Sequence, residues 1–260
     1  MKRYLIYIYV ALCSFTMAQA QNIAFADSAV VYSKAMADSA YAAADYATAI
    51  HIYEQLLANE GEAAAVYYNL ANGYYKQGEI ARAILNYERA LMMDPSNDNI
   101  QFNLELARSK TVDKNAIVTE LFLVRWMRSI STVLSADGWA KAAILCFIIL
   151  NLCLTIFIFA KNKKTKKIIF IFALLSAVST IVANVTAAAR KKEMVLRENA
   201  IVMEPSVTIR STPSVNGTEL FILHEGKKVR IKDDSMRDWK EIEIEDGNIG
   251  WLPASAIERI

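Results

Sequence analysis

At 260 residues the chain is long enough for two modest domains plus membrane segments, and nothing in its length requires one large catalytic domain. Hydrophobic residues make up 55% of it and charged residues 22%, so the apolar residues must be concentrated in stretches. The net charge of +2 is near balance and the basic residues cluster beside apolar runs, which argues against nucleic-acid binding; His51 and His224 are the only histidines, which argues against a metal cluster.

Residues 1–20 read as a secretory signal peptide. Lys2 and Arg3 precede an apolar core from Tyr4 to Met17, and Ala18-Gln19-Ala20 supplies the small-residue cleavage site. A lipoprotein anchored through Cys13 is the competing reading, but the residue before it is Leu12, where such sites want a small residue. Cys146 and Cys153 lie within a second apolar run, so no cysteine is placed to staple an exported domain.

A shift of 34 residues superimposes Ser33 to Leu57 on Tyr67 to Leu91, the period of a helix-turn-helix repeat. Ala37 maps to Ala71, Ala49-Ile50 to Ala83-Ile84, and Tyr53-Glu54 to Tyr87-Glu88. Ala71 and Ala83 let two helices approach closely while Tyr67, Leu70, Tyr74 and Tyr87 fill the space around their crossing, and Pro95 stops the second helix. The first copy carries Ala44 where Gly78 stands in the second, so its first helix is expected to pack less well. From Asp98 onward Phe102, Leu104 and Ala107 suggest a capping helix, giving a domain over 27–114.

These residues resemble the tetratricopeptide-repeat family. The resemblance implies that the first helix of each repeat faces a concave groove, which puts Lys34, Tyr68, Asn69, Asn72, Tyr75, Lys76 and Asn103 on a candidate peptide-binding surface. Asn69 and Asn103 are equivalent positions, where an amide could hold the backbone or carboxylate of an extended peptide; an ordinary solvated polar face fits the same residues.

Residues 116–135 mix Leu121, Phe122, Val124, Trp126, Met127 and Ile130 with Arg125 and Arg128, too polar to span a membrane. Either an amphipathic helix in the bilayer interface or a helix packed on the repeats accounts for this pattern. Stretches 139–160 and 168–189 are each close to the ~20 apolar residues that cross the hydrocarbon core, predicting a two-helix transmembrane hairpin in the lipid bilayer. The five lysines of 161–167 predict a cytoplasmic loop, although Arg190, Lys191 and Lys192 on the far side weaken the asymmetry. Combined with the signal peptide, this predicts a two-pass protein of the bacterial inner membrane with both flanking domains periplasmic. Ala173, Ser176, Ala177, Thr180 and Ala183 form a small-residue face for helix packing, and Asn151 is expected level with Ser176, Ala177 and Thr180. Neither span holds an ionisable residue at mid-depth, which argues against transport.

From Ala200 the pattern alternates like β-strands, as in Val229-Arg230-Ile231 and Ile242-Glu243-Ile244, and short strands in 198–260 predict a small barrel. Thr208 to Pro213, Leu223 to Gly226, Trp239 to Ile242 and Gly247 to Leu252 resemble bacterial SH3 domains. Some of those bind peptidoglycan peptides in an aromatic groove, which makes Phe221, Trp239 and Trp251 the candidates here, with a core role for Trp251 as the alternative. The expected fold class is thus a multidomain membrane protein: all-α repeats, a transmembrane hairpin and an all-β SH3-like barrel. No nucleophile elbow, phosphate-cradling glycine loop or zinc-protease motif is present, so no enzymatic role and no cofactor is expected.

The combination over almost the whole mature chain resembles the BatE proteins of the bacterial aerotolerance (Bat) operon. That resemblance implies a subunit of an inner-membrane complex with Bat proteins that carry von Willebrand factor A domains. The alternative function is an envelope sensor or anchor that binds peptidoglycan through the C-terminal domain.

Overall fold

The computed structural model describes residues 32–114 and 122–260. The expected signal peptide and its cleavage site, the start of the repeat domain at 27–31 and the 116–121 part of the juxtamembrane segment lie outside the described residues. Helices α1 (Lys34–Ala42), α2 (Tyr46–Glu60), α3 (Ala64–Gln77), α4 (Ile80–Met93) and α5 (Asp98–Arg108) form the repeat stack. α6 (Phe122–Ser131) precedes α7 (Ala136–Phe159) and α8 (Lys163–Leu196), and seven strands complete the chain.

Local chemistry fixes the ends of the stacked helices. The Asp45 side chain accepts from Thr48 N at 3.2 Å, and Asn97 accepts from Asn99 N and Ile100 N. α3 ends at Gly78 in the left-handed region, φ 84°. The small residues expected at the crossings, Ala37, Ala49, Ala71 and Ala83, are fully buried. Gly73 packs closer still, since a Cβ there would stand 2.9 Å from Ile50 Cγ1. In the first copy Ala44 takes the same left-handed turn at φ 61°, and α1 buries only Ala37.

α7 and α8, of 24 and 34 residues, are both long and apolar enough to cross a membrane. At 1.5 Å per residue they measure about 36 and about 51 Å, against about 30 Å of hydrocarbon. The lysine segment differs from the expected loop. Lysine is a good helix former, and Lys163, Lys164, Lys166 and Lys167 lie within the first turns of α8, which Asn162 caps by accepting from Lys164 N at 2.9 Å. Only residues 160–162 connect the two helices, and this shorter turn changes their register. Ser176 Oγ donates to Cys146 O across the pair at 2.7 Å, whereas Asn151, expected at that level, donates to Phe147 O of its own helix.

The strands are β1 (Asn199–Val202), β2 (Ser206–Arg210), β3 (Glu219–His224), β4 (Lys228–Asp233), β5 (Trp239–Glu243), β6 (Ile249–Pro253) and β7 (Ile257–Arg259). They form one antiparallel sheet in the order β3-β2-β6-β5-β4-β1-β7. This corrects the expected barrel. β3 pairs only with β2, and the three-residue β7 pairs only with β1, so the two end strands never meet and the sheet stays open. Residues from both ends of the sheet, among them Val202, Ile209, Leu223, Ile242 and Leu252, nevertheless share one core, so the sheet curls around it.

Candidate partner-binding surface

Repeat symmetry organises the polar face formed by α1, α3 and α5. Asn69 Nδ2 donates to Asp38 Oδ1 at 3.1 Å, and the Tyr53 hydroxyl donates to the same oxygen at 2.5 Å. At the equivalent positions one repeat later, Asn103 Nδ2 donates to Asn72 Oδ1 at 3.0 Å and the Tyr87 hydroxyl donates there at 2.6 Å. Each acceptor on a first helix is thus shared between the second helix of its own pair and the first helix of the next. Lys34 pairs with Asp38 at 2.6 Å, and Tyr68, its repeat equivalent, accepts from Asn103 at 3.0 Å. Partial burial raises the Asp38 carboxyl, but hydrogen bonds from Lys34, Tyr53 and Asn69 with the Lys34 charge hold it below the ordinary aspartate range.

The candidates named from the sequence therefore fall into two groups. Lys34, Tyr68, Asn69, Asn72 and Asn103 lie together in a hydrogen-bonded row that joins successive helices, so the two asparagine amides hold the stack. Lys76 is exposed, and Tyr75 is half-buried with Lys110 Nζ 4.3 Å from its ring centre. Sequence reading missed Asp38, Lys110 and Leu106, and took Phe102 only as part of a capping helix. Phe102 is 69% exposed and Leu106 42% exposed, where a capping helix would carry polar residues. Phe102 stands 34 residues after Tyr68, so the repeat period itself carries the signal.

The other side of the stack is covered. α4 docks on the sheet, where Glu88, 5% exposed, pairs with Lys228 Nζ of β4 at 2.8 Å and with Arg108 of α5. Burial raises the Glu88 carboxyl, but the Lys228 and Arg108 charges and hydrogen bonds hold it below the ordinary range. Arg89 donates to Glu258 at 2.9 Å and to Arg259 O at 2.6 Å. Asp113 accepts from His224 N at 2.6 Å at the end of the edge strand β3, and its other oxygen lies 2.9 Å from His224 Nδ1. A Cβ on Gly226, at φ 82°, would stand 2.7 Å from Thr111 Cγ2 and 2.9 Å from Ile84 Cδ1, so the β3–β4 turn approaches the helices as only glycine allows. Where α8 hands the chain to the sheet, Arg197 turns left-handed at φ 45° and its guanidinium donates to both oxygens of Glu62 at 2.5 Å.

In the sheet, strand register separates the three aromatic candidates. Trp239 pairs with Pro253, and Trp251 pairs with Glu241 and Arg210, which puts both tryptophans half-buried on one face. Phe221 pairs with Ile209 and packs against the core on the opposite face. Trp251 is thus not a core residue, and Phe221 does not join a groove with the tryptophans.

The juxtamembrane helix leaves Phe122, Trp126 and Met127 exposed, and the Trp139 indole N–H of α7 donates to Ser131 O at its end, at 3.1 Å. A family model described as tetratricopeptide repeat matches residues 34–103. No curated protein matches the chain. The segment from α1 into α5 is therefore similar to tetratricopeptide repeats, which suggests protein–protein interaction, and the two apolar helices are consistent with a membrane location.

Proposed function

We propose that the chain is a non-enzymatic membrane adaptor that binds a protein partner on the face of α1, α3 and α5. One observation carries this reading: the sheet covers the α4 side of the stack, while on the uncovered side Tyr75 has Lys110 against its ring and Lys76 of α3 and Phe102 of α5 stand exposed. An exposed phenylalanine on the same side as two lysines suits a partner segment with an apolar anchor and acidic flanks. The resemblance to BatE supports a place in an inner-membrane Bat complex, with von Willebrand factor A-domain proteins as the partners and the repeat and sheet domains on the periplasmic side. Holding the groove at one height above the bilayer raises the effective concentration of a membrane-bound partner. Affinity purification of the full chain after mild solubilisation tests this. The adaptor reading expects von Willebrand factor A-domain Bat proteins with the wild type and their loss with Phe102→Asp plus Lys76→Glu; their absence from the wild-type preparation contradicts it.

A second reading rests on Trp239 and Trp251 sharing one face of the sheet with Arg210, as a peptidoglycan-binding surface of an SH3-like domain. Retention of the full chain on purified cell wall, lost with Trp239→Ala, would favour it. Unchanged retention in that variant would remove it.

A further inference from the structure

α8 does not stop where its apolar stretch does. Past Ala189 it runs on through Leu196 to its cap at Arg197. The seven residue steps from Arg190 to Arg197 rise about 10 Å, enough to cross the headgroup layer of about 5 to 7 Å on one side of a bilayer. At this level lies a cavity of about 600 Å³, walled by the end of α8, the end of α6, the repeat stack and the sheet. Among the described residues three cations line it: Arg190, Arg197 and Lys228. Two carboxylates, Glu88 and Glu193, line it as well.

The ion pairs hold these cations in place. Lys228 is fixed by the buried Glu88, and Arg197 is fixed by Glu62, which is not part of the lining. Arg190 is 14% exposed and, among the described residues, forms its ion pair with Glu193 one helical turn on, at 3.1 Å, and Glu193 is itself half open to solvent. Glu193 can swing away without leaving a buried charge, so Arg190 is the cation available to a ligand. Leu91, Met92 and Ile260 supply an apolar wall beside these charges.

We infer that this cavity binds the phosphate of a membrane phospholipid. The Arg190 fork takes phosphate oxygens in a bidentate pair, Lys228 adds a point charge, and the apolar wall covers the glycerol and first acyl carbons. A lipid is favoured over a free anion because the stretch of α8 just past its apolar run lines the cavity and because a free anion would have no use for the apolar wall. The inference rests on the membrane location of the hairpin and not on the identity of any protein partner.

The test uses the full chain in non-ionic detergent, with dihexanoyl phosphatidylglycerol, inorganic phosphate and a dihexanoyl glucosylglycerol lacking phosphate as separate probes, read by native mass spectrometry. The phosphatidylglycerol should bind with one-to-one stoichiometry. Its affinity should fall roughly tenfold in Arg190→Gln, the loss expected for one charge-assisted hydrogen-bond pair, and recover in part in Arg190→Lys. Lys192→Gln, an exposed charge outside the cavity, should leave it unchanged. Equal binding by wild type and Arg190→Gln overturns the inference, as does inorganic phosphate binding as tightly as the lipid or the glucolipid matching it. An alkaline wash of cell membranes separates the two claims. A chain that washes off loses the membrane location itself, whereas a chain that stays but binds lipid without Arg190 loses only this site.

Discussion

Glu88 of α4 and Lys228 of β4, 140 residues apart, meet at 2.8 Å in the seam between the repeat stack and the sheet. Arg108 approaches the other carboxylate oxygen of Glu88, so one buried anion joins two repeat helices to the sheet. Glu88→Gln leaves Lys228 without its counter-charge and Arg108 with only the exposed Glu105, and is expected to lower stability by about 3 kcal/mol, the low end for breaking a buried ion pair because both cations keep some solvent contact. Lys228→Met should cost less, since Arg108 stays on the carboxylate. The double variant should be less destabilised than the sum of the two, read from thermal unfolding midpoints of the full chain in detergent.

The same carboxyl sets a pH dependence. Its value in the folded chain lies below the ordinary glutamate value of 4.5, so its contribution to stability is fully present above that pH and is lost as pH falls through the folded value. Asp38 and Glu62 are depressed as well and act with the same sign. Midpoints followed from neutral pH downward should show wild type well above Glu88→Gln, with the gap narrowing only once the pH drops below about 4.5. A gap that stayed constant into acid would contradict this assignment.

Ala44 and Gly78 make the same left-handed turn one repeat apart. Only Ala44 carries a Cβ there, a cost of about 1 to 2 kcal/mol set against the greater unfolded-state freedom of glycine. Ala44→Gly should therefore stabilise the chain by about 0.5 to 1 kcal/mol, and Gly78→Ala should destabilise it by a similar amount. No atom stands within 4 Å of a Cβ built on Gly78, so its effect isolates the backbone term.

Asn72 accepts from both Tyr87 and Asn103. Its replacement by alanine takes away the acceptor of the hydroxyl of Tyr87, a fully buried side chain, and should cost about 1 to 3 kcal/mol. Asn69→Ala leaves Asp38 with Lys34 and Tyr53 and should cost less, about 1 kcal/mol or under. Chemical denaturation of the two variants in parallel gives the order.

The repeats and the hairpin were legible because each rests on local periodicity: alanines at a 34-residue spacing and apolar runs of spanning length. The hairpin register was not. It depended on whether the lysines formed a loop or continued the helix, and their helical preference moved Cys146 opposite Ser176 in place of Asn151. Strand alternation marked which residues of 198–260 face a core, but closure depends on whether the end strands β3 and β7 pair, which they do not, and no local pattern carries that. Glu88 repeats Glu54, which binds the Tyr74 hydroxyl, so the repeat gave no hint that the later copy would instead bind Lys228. Asn69 and Asn103 were found as equivalent and polar, while their role in joining helices needed the positions of Asp38 and Asn72.

Site-specific photocrosslinking in intact cells tests the adaptor reading most directly, with the photoreactive residue at Lys76 or Phe102 on the uncovered face, at Trp239 on the sheet, and at Ile84 in the covered seam. An adaptor is expected to capture a membrane-anchored von Willebrand factor A-domain protein from Lys76 and Phe102 and none from Ile84. Capture of cell-wall peptides from Trp239 with no protein adduct at either repeat position would contradict it.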